Sequence, residues 1–283
     1  MRVLPGAIPG VTDPGAVAAL QPRWARTTRL LRWSAVVLPW TVAGVCAVFA
    51  VVAGSWWAVL PVSAAVAAAW VGVLRLRRGS AEPSSWLASA FLVAGCQVLL
   101  GVVPGSGLAL SHSSSSGGRA AAGVLFVVAW ACAISSCVLA HRANRALTTP
   151  VVPELGATEL TLTLAVRFAL ATPDLASARL DVGEDRLTWS ARLHRGRGAG
   201  PRAERVVPFA HLRDVVVIAL PPRPTPVTWL QLPDGTVLHA PPGPALLVRT
   251  AAGEWVLPVD DAPLVRELVL TRRNRWARRP ATP

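Results

Sequence analysis

Long stretches without a charged residue dominate the first half of the chain. Four of them are long enough to cross a membrane as helices: 34–53, 57–74, 86–103 and 120–140. A helix rises about 1.5 Å per residue, so a stretch of about 20 residues covers roughly 30 Å, the thickness of a bilayer's hydrocarbon core. A helix that is apolar on every side is unsuited to water, whereas in lipid it satisfies its own backbone hydrogen bonds. The pattern therefore predicts an α-helical membrane bundle of four transmembrane helices over residues 34–141.

The ends of this bundle are predicted from helix-breaking residues. Residues 1–33 contain Pro5, Gly6 and Pro9 near their start. These residues interrupt any signal-peptide core, so a flexible basic tail is expected and not a cleaved signal. The third span is expected to stop at Pro104, because proline cannot donate the hydrogen bond that would continue the helix.

The placement of arginine predicts the orientation of the spans. Nine arginines flank the spans on one side: Arg23, Arg26, Arg29, Arg32, Arg75, Arg77, Arg78, Arg142 and Arg145. The loops predicted on the other side carry only Arg119. Because positive charge is retained on the cytoplasmic side, we expect a multi-pass membrane protein whose arginine-rich side faces the cytoplasm. Both its N- and C-termini are then cytoplasmic, and the lipid bilayer is its first partner.

Few side chains inside the predicted spans are polar. Gln97 is expected to form a hydrogen bond to another helix, worth about 1 kcal/mol. Small residues recur four positions apart, at Ala64/Ala68, Ala65/Ala69, Ala90/Ala94 and Ala129/Ala133. Such faces allow close helix contact, either within the bundle or between the subunits of a homo-oligomer. The spans contain no charged residue that would mark a transport pathway.

The hydrophobic period changes to two after a linker predicted at residues 142–156. Leu160, Leu162 and Leu164 alternate with polar residues, which is typical of a strand. Turn residues at 233–235 separate two further apolar runs, as in a β-hairpin. Residues 157–283 are therefore predicted to form a mainly β cytoplasmic domain.

A final amphipathic helix is predicted over residues 261–275. Its apolar stripe consists of Leu264, Val265, Leu268 and Val269, which recur at helical spacing. Arginines follow at its C-terminal end, where the helix dipole favours positive charge. We expect this helix to cap the β domain.

Two segments of the second half resemble bacterial PH-like (pleckstrin-homology-like) domains. The run VVPFAHLRDVVV at 206–217 is similar to the part where a strand leads through a short turn to a second strand, and 253–273 is similar to the last strand and capping helix. The resemblance covers about 100 residues, from near Ala178 to Trp276. It implies a PH-like barrel with a C-terminal capping helix, fused to a multi-span region as in membrane proteins of high-GC bacteria. It implies an interaction or scaffolding module and no activity. The Lys/Arg motif of phosphoinositide-binding members has no counterpart here, so headgroup recognition is not implied.

Composition and charge narrow the chemistry further. The 28 basic residues are all arginine and exceed the 15 acidic residues, which gives a net charge of +13. Because much of this excess flanks the spans, we expect no nucleic-acid partner. The four cysteines lie in apolar stretches, where a thiol behaves as a small hydrophobe, and the histidines lack metal-ligand spacing. No catalytic, metal-binding or cofactor-binding residue is predicted.

The arginines at the end of the last helix form the candidate site. They are Arg272, Arg273, Arg275, Arg278 and Arg279. Near an anionic inner leaflet each would contribute about 1 kcal/mol to membrane binding; the alternative is ordinary solvated charge. A second basic group occupies a predicted loop, at Arg195, Arg197, Arg202 and Arg205.

The function expected from these features is a non-catalytic scaffolding or regulatory role at the inner face of the membrane, exerted through protein partners. A subunit or accessory of a transporter or channel is one alternative, which a charged row within the spans would favour. An enzyme acting at the membrane face is the other, which a cluster of acidic or histidine side chains on the β domain would favour.

Overall fold

A computed structural model describes residues 4–11, 13–113, 115–170, 175–195, 198–222 and 227–278. The chain divides into two compact units. The first unit comprises Met1–Ala7 and Gln21–Leu147, and the second comprises Ile8–Leu20 and Thr148–Pro283.

The helices that precede the β-rich half are long and apolar. They are α1 (Pro14–Arg32), α2 (Leu38–Ala53), α3 (Val59–Arg78), α4 (Pro83–Cys96), α5 (Val103–His112) and α6 (Ser116–Thr148). π-helical turns join α1 to α2 and α4 to α5, and a 3-10 turn precedes α3. Within the described residues, four continuous helices are long and apolar enough to cross a membrane: Pro14–Ala53, Trp56–Arg78, Pro83–His112 and Ser116–Thr148. The prediction of four helices with the length and apolar composition of membrane spans is confirmed.

The prediction of a flexible tail over residues 1–33 is wrong, because α1 occupies Pro14–Arg32. Asp13 caps this helix, since its Oδ2 accepts a hydrogen bond of 2.9 Å from the Ala16 amide. Pro14 at the first turn is also favourable there. Trp24 is fully buried, and its Nε1 donates to the carbonyl oxygen of Pro5 over 3.1 Å. The pair of Asp13 and Pro14 was the signal for this helix start.

The prediction that the third span stops at Pro104 is also wrong. A π-helical turn at Gln97–Val102 precedes the proline, and α5 continues to His112. The first span shows the same arrangement, with a π-helical turn at Trp33–Val37 ahead of Pro39. In both spans the π turn lies just before the proline, where it changes the backbone hydrogen-bond pattern, and the helix continues past the proline.

Hydrogen bonds from buried polar side chains connect the helices of the first unit. Gln97 is 1% exposed, and its Nε2 donates to the carbonyl oxygens of Pro39 over 2.8 Å and Ala65 over 3.2 Å. The predicted hydrogen bond between helices is therefore confirmed. Ser34 and Ser136 each donate a hydroxyl to the other's carbonyl oxygen, over 2.8 and 2.6 Å.

The small-residue faces predicted from the sequence lie mostly inside this bundle. Most of their members are at most 8% exposed: Ala65, Ala68, Ala69, Ala90, Ala94, Ala129 and Ala133. These faces were expected to pack either within the bundle or between the subunits of a homo-oligomer, and the packing within the bundle forms. The homo-oligomer stays a prediction.

The second unit contains three antiparallel sheets. The described strands are β1 (Leu162–Ala165), β2 (Ala169–Leu170), β3 (Leu175–Val182), β4 (Arg186–Arg195), β5 (Gly198–Pro208), β6 (Leu212–Leu220), β7 (Val227–Gln231), β8 (Val237–Ala240), β9 (Gly243–Thr250) and β10 (Gly253–Pro258). The sheet orders are β1-β3-β4-β5, β10-β9-β6 and β2-β8-β7. A mainly β domain is confirmed, but no closed barrel joins the described strands. The predicted hairpin at 233–235 is confirmed, and Gly235 supplies the positive φ of 84° that its turn requires.

The boundaries of the second unit differ from the prediction. Helix α6 extends to Thr148, into the predicted linker 142–156, and a 3-10 turn follows at Pro153–Ala157. Leu155 in this turn is 1% exposed. An N-terminal segment also joins the unit, since the Glu159 amide donates to the Pro9 carbonyl over 3.3 Å. The sequence gives no sign of this contact, because the two residues are 150 positions apart.

The predicted C-terminal helix is confirmed as α7 (Ala262–Ala277). Val265, Leu268 and Val269 are at most 2% exposed. Leu264 is 36% exposed, so its place in the apolar stripe was wrong. The buried stripe instead continues through Arg272, one turn beyond Leu268.

Candidate anion-binding groove

Arg272, a predicted lipid contact, is buried in the second unit. It is 1% exposed. Its Nε donates to the Gly156 carbonyl over 2.9 Å, and its Nη atoms donate to backbone carbonyls that include Leu155 and Leu160, at 2.9 and 3.0 Å. The planar guanidinium has five N–H donors, which suits such a ring of carbonyls. Arg272 therefore fixes the 3-10 turn to α7, and the prediction that it faces lipid is wrong.

Arg273 covers the edge of a sheet. β6 pairs only with β9 among the described strands, which leaves its second edge open. Arg273 Nη1 donates to the Arg213 carbonyl over 3.1 Å, and Arg266 Nε donates to the Val215 carbonyl over 2.8 Å. The carbonyl groups of Arg213 and Val215 are two residues apart on the strand, so they point to the same side of it. Arg266 and Arg273 are seven residues apart, which is about two helical turns, so they lie on the same face of α7. The two side chains thus protect an edge that would otherwise pair with another chain.

The other predicted lipid contacts differ in their surroundings. Arg275 pairs with Glu159 over 2.9 Å and also donates to the Thr158 carbonyl. Arg278 is exposed, and Arg279 lies outside the described residues. The four of these arginines that the structure describes therefore differ in role, since Arg272 is buried and Arg273 and Arg275 bond to the β-rich unit. Lipid contact by Arg278 stays a prediction.

A different group of basic residues does converge, on one face of the four-stranded sheet. Successive side chains of a strand point to opposite faces. On β4, Leu187, Trp189 and Leu193 are at most 1% exposed and face the core. The residues between them face the other way, and with their neighbours on β3 and β5 they line a groove of about 170 Å³. The groove is lined by Ser177, Ala178, Arg179, Ser190, Arg192, His194 and Arg202.

The register of the strands places Arg192 at the centre of the groove. Arg192 on β4 is directly opposite Ser177 on β3 and Arg202 on β5. Arg179, the next residue of β3 on this face, is opposite Ser190. Three guanidinium groups therefore share one patch of sheet.

A β-bulge adjoins the groove. The pairing of β4 with β5 shifts by one residue between Arg192 and His194. Gly200 lies in the extra segment of β5, where a Cβ atom would come within 2.3 Å of the Leu193 carbonyl oxygen. Only glycine permits this close approach, which bends the edge strand beside the groove.

The charges of the groove are only partly balanced. Arg179 Nε lies 3.1 Å from Asp181, and Arg202 Nη2 lies 2.5 Å from Glu204. Asp181 also accepts a hydrogen bond of 2.5 Å from the Thr163 hydroxyl. Arg192 forms no ion pair with the part of the chain that the structure describes, and its Nε is buried without a hydrogen-bond partner there. The centre of the groove therefore keeps a net positive charge.

The Ser177 hydroxyl and His194 Nε2 lie 3.0 Å apart at one side of the groove. A serine next to a histidine is the beginning of a nucleophilic site, which also needs a group that orients the histidine and donors that hold an oxyanion. In the described residues, His194 has no carboxylate partner, and both side chains are exposed on an open sheet. The pair places a hydroxyl group and a ring nitrogen beside the arginines of the groove.

Arg202 is the residue of this groove that the sequence indicates, as part of a predicted basic loop, whereas the structure places it on β5. Arg205, from the same predicted loop, lies on the other face of β5 with its guanidinium 5.0 Å from the Trp255 ring. Arg195 and Arg197 complete that predicted group; the side chain of Arg195 and the whole of Arg197 lie outside the described residues. The missed signal was the strict alternation along β4, where Thr188, Ser190, Arg192 and His194 occupy every second position.

No family model matches the chain, and neither a curated protein nor a solved structure is significantly similar to it. In the described residues, no group of three or more His, Cys, Asp or Glu side chains is arranged to hold a metal ion.

Proposed function

We propose that this protein is a multi-pass protein of the bacterial cell membrane whose β-rich domain is a non-catalytic binding module in the cytoplasm. The four apolar helices provide the anchor. The excess of arginine on one side of the spans supports the cytoplasmic placement of both termini, since arginine in short loops is retained on that side. A scaffolding or regulatory role follows, in which the module holds a partner at the inner face of the membrane.

The observation that carries this proposal is the groove around Arg192. It is open and basic, and it lies on a regular sheet whose register fixes each side chain. Binding sites on regular elements are held more rigidly than sites on loops. An anionic partner would meet three guanidinium groups without any change in the backbone.

The resemblance to PH-like domains is retained as part of the proposal. Antiparallel strands followed by a C-terminal helix with a buried apolar stripe support it. The separate sheets of the described strands do not support a closed barrel. Membership of that family would be consistent with an interaction module.

Photo-cross-linking in native membranes tests the proposed function. A photoreactive amino acid at Ser177 is expected to form an adduct with a discrete partner, because Ser177 is exposed and lines the groove. The same amino acid at Gln231, an exposed position of β7 in another sheet, is the matched control. Adducts at both positions alike, or at neither, would contradict the scaffolding role, in which the groove holds a partner.

A further inference from the structure

Two arginines face each other across the groove where the sheet alone would not favour them. Arg192 and Arg202 are directly opposite on neighbouring antiparallel strands. Like charges in such a pair destabilise a sheet. The arrangement becomes more favourable when an anion lies between them, because Arg192 then gains the opposite charge that Arg202 already has in Glu204.

The carboxylates nearby do not neutralise Arg192. Asp181 is engaged by Arg179 and by the Thr163 hydroxyl, and Glu204 is engaged by Arg202. Arg192 Nε remains buried with no hydrogen bond to any described residue. A buried donor without an acceptor costs about 1 to 3 kcal/mol, and more for a charged group. Arg192 Nε itself has no surface open to a ligand, so an anion in the groove would balance the unpaired charge of the Arg192 guanidinium and would reach Nε only after that side chain turns.

The remaining lining fits the same ligand. The hydroxyls of Ser177 and Ser190 flank Arg192 and can donate to an oxygen, and His194 adds a ring nitrogen. The groove measures about 170 Å³, and a cavity measured in this way holds one water molecule in about 10 to 15 Å³. A tetrahedral oxyanion therefore fits together with several waters, and its oxygens match the paired donors of a guanidinium.

We propose that the groove is a binding site for a tetrahedral oxyanion of the phosphate type, centred on Arg192 and flanked by Arg179 and Arg202. This rests on the proposed function, because it names the ligand chemistry of the same groove. The oxyanion is the phosphate group either of a soluble phosphorylated ligand or of a lipid headgroup. Both sources present the same charge and the same oxygens.

Calorimetric titration of the full chain tests this site. The protein is held in nanodiscs of phosphatidylcholine and titrated with inorganic phosphate up to about 10 mM, well above a weak dissociation constant of about 1 mM. We expect saturable binding, which Arg192→Gln weakens about tenfold or more, since it removes a charged donor. Arg192→Lys keeps the charge but loses the planar fork, and we expect about threefold to tenfold weakening.

Arg249→Gln is the matched control. It removes an exposed guanidinium on β9, in a different sheet, and leaves the same net charge as Arg192→Gln. We expect its phosphate affinity to stay within about twofold of the unsubstituted chain. Thermal unfolding of each variant confirms that the β domain is folded. The same titration in nanodiscs that contain phosphatidic acid distinguishes the two sources of the phosphate group. If phosphatidic acid competes with inorganic phosphate, the measured phosphate affinity falls and the site is assigned to a lipid headgroup. If the phosphate affinity is equal in both kinds of disc, the site is assigned to a soluble ligand.

Three results would overturn the oxyanion site: no phosphate binding at these concentrations, equal weakening by Arg192→Gln and Arg249→Gln, or unchanged affinity in folded Arg192→Gln. In each case, a specific adduct at Ser177 would show that the groove still binds a partner of another chemistry. If no adduct forms at Ser177 but phosphate still binds, only the scaffolding role is contradicted.

Discussion

Arg272 Nε donates a hydrogen bond of 2.9 Å to the carbonyl oxygen of Gly156, across 116 positions of the chain. This bond belongs to a set that joins the last helix of the protein to the 3-10 turn at the start of its β-rich half. A residue expected on the surface is thus part of the core of the second unit. Substitution of Arg272 is therefore expected to destabilise this unit, and not only to change the charge of its surface.

Arg272→Ala is expected to destabilise the β-rich unit by about 3 kcal/mol or more, because several buried carbonyl oxygens lose their donor at once. Arg272→Lys should recover less than half of the loss, since an ammonium group cannot reproduce the planar fork. The measurement is amide hydrogen exchange of β1 and α7 in the full chain. Arg278→Ala, at the exposed C-cap residue that follows the same helix, should leave the exchange unchanged; equal effects at the two positions would contradict the buried role.

Leu268→Asp is expected to abolish the cooperative unfolding transition of the same unit. Leu268 is fully buried, and the change both removes apolar burial and places a carboxylate without a partner in the core. Leu264→Asp is the control on the same helix, because Leu264 is 36% exposed, and it should cost less than about 1 kcal/mol. If both variants melt alike, α7 does not pack through the stripe of Val265, Leu268 and Val269.

Gly10→Ala tests whether the N-terminal segment belongs to the β-rich unit. Gly10 has a φ of +73°, and an added Cβ would lie 2.3 Å from Glu159 Cγ. We expect a loss of about 1 to 3 kcal/mol from the positive φ and the crowding. Gly15→Ala is the contrasting control, because Gly15 is exposed in α1 and alanine favours a helix. Denaturant unfolding monitored at Trp189 gives the free energy of unfolding of each variant. If Gly10→Ala is as stable as the unsubstituted chain, the N-terminal segment does not belong to the unit.

Gln97→Leu tests the polar contact inside the membrane bundle. The Gln97 amide reaches backbone carbonyls on two other helical segments, and such bonds in membranes contribute about 0.6 to 2 kcal/mol. We therefore expect a loss of that size in the unfolding free energy of the bundle, measured in detergent mixtures. Ser63→Ala should have no such effect, because the exposed Ser63 hydroxyl bonds only within its own helix, to the Leu60 carbonyl.

Features that depend on local periodicity could be predicted from the sequence. The four apolar helices, the hairpin at 233–235 and the buried face of α7 each follow from residues close together in the chain. The contacts of Arg272 with Gly156 and of Glu159 with Pro9 could not be predicted, because nothing local to either residue indicates a partner more than 100 positions away. The groove depends on the register of three strands, which the sequence indicates only by the polar alternation along β4.

The placement of the groove in the cytoplasm is tested most directly by labelling a cysteine at Ser177. The four native cysteines lie in the membrane helices, so Ser177→Cys adds an exposed thiol to the β-rich unit. A membrane-impermeant maleimide should label this thiol in inverted membrane vesicles and not in intact cells, while Ser115→Cys, in the short segment between α5 and α6, should show the reverse. Labelling of Ser177→Cys in intact cells would contradict the cytoplasmic placement of the binding domain.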